Sequence, residues 1–320
     1  MLAGRPRWPL LLGLGLFSAV VSLAGRLGGR WPWLEPQNSS QGGDRLLQAL
    51  LETDQRPTPG AFEDRSPPTG LKRSSVEPTV PSSPPPQAHQ PPAALPLVRV
   101  ALFRQFPLRS LEARGNSHCQ DRQGKGYRTI DIQGWTGSSL RCQSFGSGAI
   151  VVNGLGYQGT IELMRSGKGW LPINQLDLEH YVASVVGAEM PSHWGREALK
   201  AQAVSARSYA LVHLVRPANA RYHLGDTTRW QVYGGQASMT QSTLEAAQAT
   251  QGEVLSFRGG LVESLYAATA SISAEAHGHL GASMSQTGAH ALAQQGHSYA
   301  QILDRYYKGA ELARITPNGP

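Results

Sequence analysis

Asp177-Leu178-Glu179-His180-Tyr181-Val182-Ala183-Ser184-Val185-Val186-Gly187-Ala188-Glu189-Met190-Pro191-Ser192-His193-Trp194 is the stretch whose reading decides the fold. Asp177 suits a helix N-cap, because its carboxylate can accept the orphan amide N–H groups of a first turn. Tyr181, Val182, Val185 and Val186 then recur at helical spacing. Gly187 and Pro191 limit that helix. A longer helix is expected from about Gly195 to Val215. Leu199, Ala203, Ala206 and Ala210 make one stripe of it, and Val204, Ser208, Leu211 and Val215 the next. So many alanines suit close packing on every side, as in a buried central helix.

Upstream of this pair the pattern is that of strands. Val98–Phe103 and Ala149–Val152 are β-branched and apolar. Tyr157–Met164 and Trp170–Ile173 read as a pair around the turn Ser166-Gly167-Lys168-Gly169. Between Arg109 and Gly148 only loop with short strands is legible. Downstream, Trp230–Tyr233 reads as a short strand or loop and Leu244–Thr250 as a helix ended by Gly252. Glu253–Phe257 and Leu261–Ala267 read as a hairpin around Arg258-Gly259-Gly260. Helices follow over Gln286–Gln295 and Tyr299–Tyr307, closed by Gly296 and Gly309. Strands first, helices in the middle and mixed elements after predict an α+β domain with a mixed sheet and a long central helix, over residues 97–320.

The rest of the chain differs. Arg5 and Arg7 precede an uncharged, apolar stretch from Trp8 to Gly25, so residues 1–34 read as an export signal or an uncleaved membrane anchor. Ser22-Leu23-Ala24 offers a cleavage site. Residues 35–96, with Pro84-Pro85-Pro86 and Pro91-Pro92, read as a disordered Pro- and Ser-rich linker; only Leu47–Leu51 suggests a short helix. Gly 36 and Pro 22 in 320 residues, with 40% hydrophobic, exclude a collagen, a coiled coil and a multi-span membrane protein. The net charge of +7 comes without a block of basic residues, which disfavours nucleic acid and leaves solubility, an anionic membrane or an acidic wall polymer. Cys119 and Cys142 can pair in an oxidising compartment or remain two buried thiols.

Glu189 is the candidate for chemistry. A carboxylate at a helix C-terminus faces the negative end of the dipole. Val186, Met190 and Trp194 around it are apolar. Both effects raise proton affinity, as a general acid at neutral pH requires. The alternative is a solvated glutamate at a helix end.

The run Glu189-Met190-Pro191-Ser192-His193-Trp194-Gly195-Arg196-Glu197-Ala198-Leu199-Lys200-Ala201-Gln202-Ala203-Val204-Ser205-Ala206-Arg207-Ser208-Tyr209 resembles the signature of the SpoIID/LytB family. Ile173–Val182, Gln231-Val232-Tyr233-Gly234, Ser285-Gln286-Thr287-Gly288-Ala289 and Ile302–Gly309 resemble further motifs of that family, in the same order. The resemblance implies a cleft and a peptidoglycan lytic transglycosylase that cleaves MurNAc-GlcNAc bonds to 1,6-anhydro products. It places Glu189 as the general acid and base, and needs no cofactor. It equally admits a non-catalytic enhancer of a cell-wall amidase, or an envelope scaffold. Glycan strands, and an amidase on the second reading, are the expected partners, in the periplasm or cell envelope.

Arg207 could hold a substrate oxygen or pair with a buried carboxylate. Gln231 and Tyr233 could bond sugar hydroxyls or cap a sheet edge. Ser285 and Gln286 could contact substrate, although Ser285 is also a natural N-cap. Trp194 could stack on a sugar or serve as a rim aromatic. His277, His279, His290 and His297 cluster near the C-terminus. The zinc site of some relatives uses cysteine, which is missing after Cys142, so no metal is expected. The chain also departs from the family where Ala270-Ser271-Ile272 replaces a Gly-Gly and the segment up to Ser285 is short.

Overall fold

The computed structural model describes residues 96–278 and 281–315. The expected signal or anchor over 1–34, the linker up to residue 95 and His279 lie outside the described residues.

Alternating burial builds the first half as strands: β1 (Leu97–Ala101), β2 (Ser110–Arg114), β3 (Ser117–Asp121), β4 (Gly126–Tyr127), β5 (Thr129–Asp131), β6 (Leu140–Ser144), β7 (Ala149–Val152), β8 (Leu155–Tyr157), β9 (Thr160–Ser166) and β10 (Gly169–Asp177). Then come α1 (Leu178–Glu189), α2 (Arg196–Val215), β11 (Leu224–Gly225), α3 (Gln241–Ala249), β12 (Glu253–Phe257), β13 (Gly260–Leu261) and β14 (Leu265–Ala267). The chain continues through α4 (Ala270–His277), β15 (Ser283–Ser285), α5 (Gln286–Gln294), α6 (Tyr299–Tyr306) and β16 (Glu311–Arg314). This is a mixed α+β fold.

A seven-stranded sheet runs β11-β1-β10-β9-β6-β3-β4, and a four-stranded one β5-β2-β7-β8. The β9–β10 hairpin turns where Gly167 takes φ +56°, a left-handed conformation open to glycine at little cost. Cys119 and Cys142 face each other on β3 and β6 and form a disulfide. The pairing reading therefore holds over the two free thiols.

The sheet leads straight into the helices. β10 ends at Asp177, whose carboxylate accepts from Glu179 N (2.8 Å) and His180 N (3.3 Å) and so starts α1. α1 runs on through Gly187 rather than stopping there. That glycine lets the carbonyl of Ser238 pack against the helix, 1.9 Å from where a Cβ would stand. α2 is buried over nearly all of its length, because its small residues admit α1, α3, α5, α6 and β12 around it. This is the central helix expected from its alanines.

Three regions differ from the sequence reading. Residues 109–148 hold β2 to β6, each too short and too polar on its outer face to show a period. The expected hairpin stops at Leu261. β14 leaves it to pair in parallel with β15, Tyr266 opposite Met284. α4 fills the segment that read as a departure from the family; Thr269 caps it by accepting from Ile272 N (3.3 Å).

Candidate active site

Glu189 is the last residue of α1 and is half-buried. Burial raises its proton affinity above that of an ordinary carboxylate. Two groups oppose that shift, the N–H of Val232, which donates to Oε1 at 2.7 Å, and the nearby Gln286 amide. Gln286 is 4% exposed, and its Nε2 has no hydrogen bond of normal geometry. It thus faces the carboxyl group with donor capacity to spare. Among the described residues no neighbouring carboxylate contributes to the state of Glu189.

The Val232 N–H is placed by the loop from Asp226 to Tyr233. Tyr233 N closes that loop on the carbonyl of Asp226 (3.4 Å), and Trp230 N bonds Thr227 O (2.9 Å). The Asp226 carboxyl is fully buried. Oδ1 accepts from Arg104 N at 3.2 Å, while Oδ2 has no partner. Burial pushes its pKa up to about 6 against the pull of that N–H and of the Arg104 charge. Phe103 stacks on Trp230 (centroids 5.6 Å) and braces the same loop.

The other expected site residues fall into two groups. Gln286 lies at Glu189, and Ser285 directly before it caps α5 through Gly288 N (3.1 Å). Arg207, Gln231 and Tyr233 are turned into the interior. Arg207 is completely buried and forms an ion pair with Glu179. It also donates to the carbonyls of Glu253 (3.0 Å) and Ala247 (3.1 Å). Gln231 accepts from the Tyr181 hydroxyl (2.8 Å) and donates to Ala206 O (3.2 Å) and the Tyr266 hydroxyl (3.0 Å). Tyr233 donates to Asn174 Oδ1 (2.6 Å). Neither caps a sheet edge in this arrangement.

Tyr266 is a site residue that sequence reasoning missed. It accepts from Gln231 and so keeps its own hydroxyl proton for another acceptor. Burial and the charge of Glu189 hold its pKa well above the usual tyrosine value. Only its place on a short apolar strand was legible, and that pattern reads as core. Trp194 and His290 were each noted singly. The structure stacks them, with centroids 4.6 Å apart. His277 bonds Ser283 Oγ (2.9 Å) beside a depression of about 270 Å³ that also borders Ser285 and Tyr306. Among the described residues no group of three His, Cys, Asp or Glu side chains is placed to hold a metal ion, and no helix is long and apolar enough to cross a membrane.

The chain is similar to known proteins over the stretch that carries these helices. A family model described as stage II sporulation protein (SpoIID) matches residues 166–257, which carry α1, α2 and the Val232 loop. An uncharacterized protein of Brachyspira hyodysenteriae is 35% identical over 118 residues, 37% of this chain and 32% of its own length. The amidase enhancer of Bacillus subtilis is 39% identical over 85 residues, 27% of this chain and 11% of its own. Stage II sporulation protein D of Bacillus subtilis is 30% identical over 112 residues, 30% and 33% of the two chains. These matches span a third or less of each relative. The helix pair that presents Glu189 thus lies within the stretch that is similar to the SpoIID family and to its amidase-enhancer and sporulation relatives.

Proposed function

We propose that this protein acts on the bacterial cell wall as a peptidoglycan lytic transglycosylase, with Glu189 as its acid and base. The observation that carries the reading is a single half-buried carboxyl group of raised proton affinity, anchored by Val232 N–H and flanked by Gln286. Protonated Glu189 donates to the glycosidic oxygen as the C1–O bond breaks through an oxocarbenium-like state. The resulting carboxylate accepts the proton of the muramic 6-hydroxyl, whose oxygen bonds to C1. The proton returns to Glu189, no water is consumed, and a 1,6-anhydro ring forms. Ordinary glycosidases need a second carboxylate; this route does not. Gln286 and Tyr266 are the proposed substrate contacts, with Ser285 shaping the turn that aims Gln286. Arg207, Gln231 and Tyr233 hold the walls. The apolar segment after Arg5 and Arg7 would export or anchor the domain in the envelope.

A second reading has its own support. Glu189 is not open to solvent along its length, and a relative carries the name amidase enhancer. On that reading the site binds glycan and stimulates an amidase without cleaving. The full chain incubated with peptide-free glycan strands and with intact sacculi separates the two. Anhydro-muramic products by mass spectrometry, lost in Glu189→Gln, support the transglycosylase. Retained products in Glu189→Gln would refute the assigned role. Glycan bound without products, with an added amidase accelerated, would move the protein to the enhancer class.

A further inference from the structure

The segment that joins α1 to α2 ends in Trp194 and Gly195, and α5 lies against it. Gly195 makes the approach possible, since a Cβ there would stand 3.1 Å from the Ala293 side chain. The Gly195 N–H donates to His290 Nδ1 at 3.2 Å. Because Nδ1 accepts, the proton of the neutral imidazole resides on Nε2. The ring lies almost parallel to the Trp194 indole, at 12° and 4.6 Å, so its orientation is fixed from two directions. Nε2 has no partner and is not among the buried unpartnered atoms, so this N–H points to accessible space. Both rings are partly exposed.

His290 is four residues after Gln286 on α5. That spacing puts the two on one helix face, about 5–6 Å apart at Cβ. Gln286 lies at the Glu189 carboxyl group. Glu189, Gln286, His290 and Trp194 therefore follow one another here, with Gln286 buried between the acid and the imidazole. The arrangement offers a ligand an acid, an oriented N–H and an aromatic edge. Neutral donors beside aromatic surface suit an uncharged, hydroxyl-rich and acetamide-rich ligand, because they read oxygen acceptors without requiring a countercharge.

We propose that His290, held by Gly195 and Trp194, is a sugar-binding residue that donates its Nε2–H to an oxygen of the saccharide beside the one at Glu189. The proposal rests on glycan being the ligand of this site, and it deepens that reading by giving it a second contact one helix turn away.

The test uses full-length Glu189→Gln protein, which binds without turning over, and a peptide-free tetrasaccharide of alternating N-acetylglucosamine and N-acetylmuramic acid. With 15N-labelled histidine, one imidazole should show the Nε2-protonated neutral pattern, vanish in His290→Phe, and shift on saturation with the tetrasaccharide. His290→Phe retains a ring against Trp194 and should weaken binding about five- to tenfold, the worth of one neutral hydrogen bond. In the active chain it should raise KM by a similar factor and leave kcat within about twofold. If His290→Phe does not fold, the 15N signal of the otherwise unaltered protein decides alone. Tetrasaccharide binding with an unmoved His290 signal overturns this proposal and leaves the glycan reading standing. Failure of the tetrasaccharide to bind at all overturns both.

Discussion

Val232 donates its backbone N–H to Oε1 of Glu189 at 2.7 Å, across 43 residues of chain. The bond lowers the proton affinity of a carboxyl group that burial raises, and burial prevails. Activity that needs the protonated acid is present at low pH and falls as pH rises through the pKa of Glu189. That alkaline limb should lie above the ordinary glutamate value of about 4.3. Gln286 opposes the same rise, so Gln286→Leu should move the limb of kcat/KM to higher pH while lowering its plateau. A pH–rate profile on peptide-free glycan measures both, and a limb that stays in place would remove Gln286 from the site.

Glu179 and Arg207 carry the largest structural prediction. Their ion pair joins α1 to α2, and Glu179 also accepts from Gly252 N at 3.3 Å. Arg207→Ala would leave a largely buried carboxylate without its partner and should cost about 3 kcal/mol in urea unfolding. Arg207→Lys should recover little, because one ammonium cannot serve Glu179, Glu253 and Ala247 in the same geometry.

Asp226 predicts a pH dependence of stability. Its folded pKa is raised to about 6 against an unfolded value of about 3.9. The folded state therefore holds the proton more tightly. Stability from this group is greatest below pH 4 and is lost as pH rises from about 4 to about 6. Asp226→Asn keeps an acceptor for Arg104 N and removes the buried charge. It should raise stability by about 3 kcal/mol at pH 8 and by less than about 1 kcal/mol at pH 4. Thermal melts across that range would expose an equal gain at both ends, which would contradict the argument.

The Cys119–Cys142 disulfide closes a loop with a sequence separation of 23. Replacing both cysteines by alanine should cost about 3 kcal/mol of unfolding free energy, most of it through the less constrained unfolded chain. Dithiothreitol should lower the unfolding free energy of the parent protein by a similar amount and leave the double variant unchanged.

How much of this was legible depended on where each signal lies. α1, α2 and the Asp177 cap were readable because helical periodicity and a capping carboxylate sit within one local stretch. β2 to β6 were not, since their inward residues alternate over only two to five positions before a turn. α4 was hidden by its length of 8 residues and by Ser271, Ile272 and Ser273, which are weaker helix formers than its alanines. Glu189 could be singled out by its context at a helix end, and Gln286 only by the resemblance of Ser285-Gln286-Thr287-Gly288-Ala289 to a family motif. The partner of Arg207 could not, because nothing local distinguishes Glu179 from any exposed glutamate. The Val232 donor is a backbone group and leaves no mark in side-chain identity. Stacking of Trp194 on His290 joins segments almost a hundred positions apart.

The burial of α2 on all sides sets where the protein can be cut. The stretch that matches the family, residues 166–257, contains this helix but lacks α5 and α6, which pack on it, and β1, which pairs with β10. Excised, those residues would turn a core helix outward and present Ala198, Gln202 and Ser205 to water. A frameshift after residue 257 would yield an insoluble product or one degraded by proteases, rather than a shorter working version. The recognisable motif is thus the centre of a core that its own residues do not complete, and truncation mapping of this chain should find no active fragment within it.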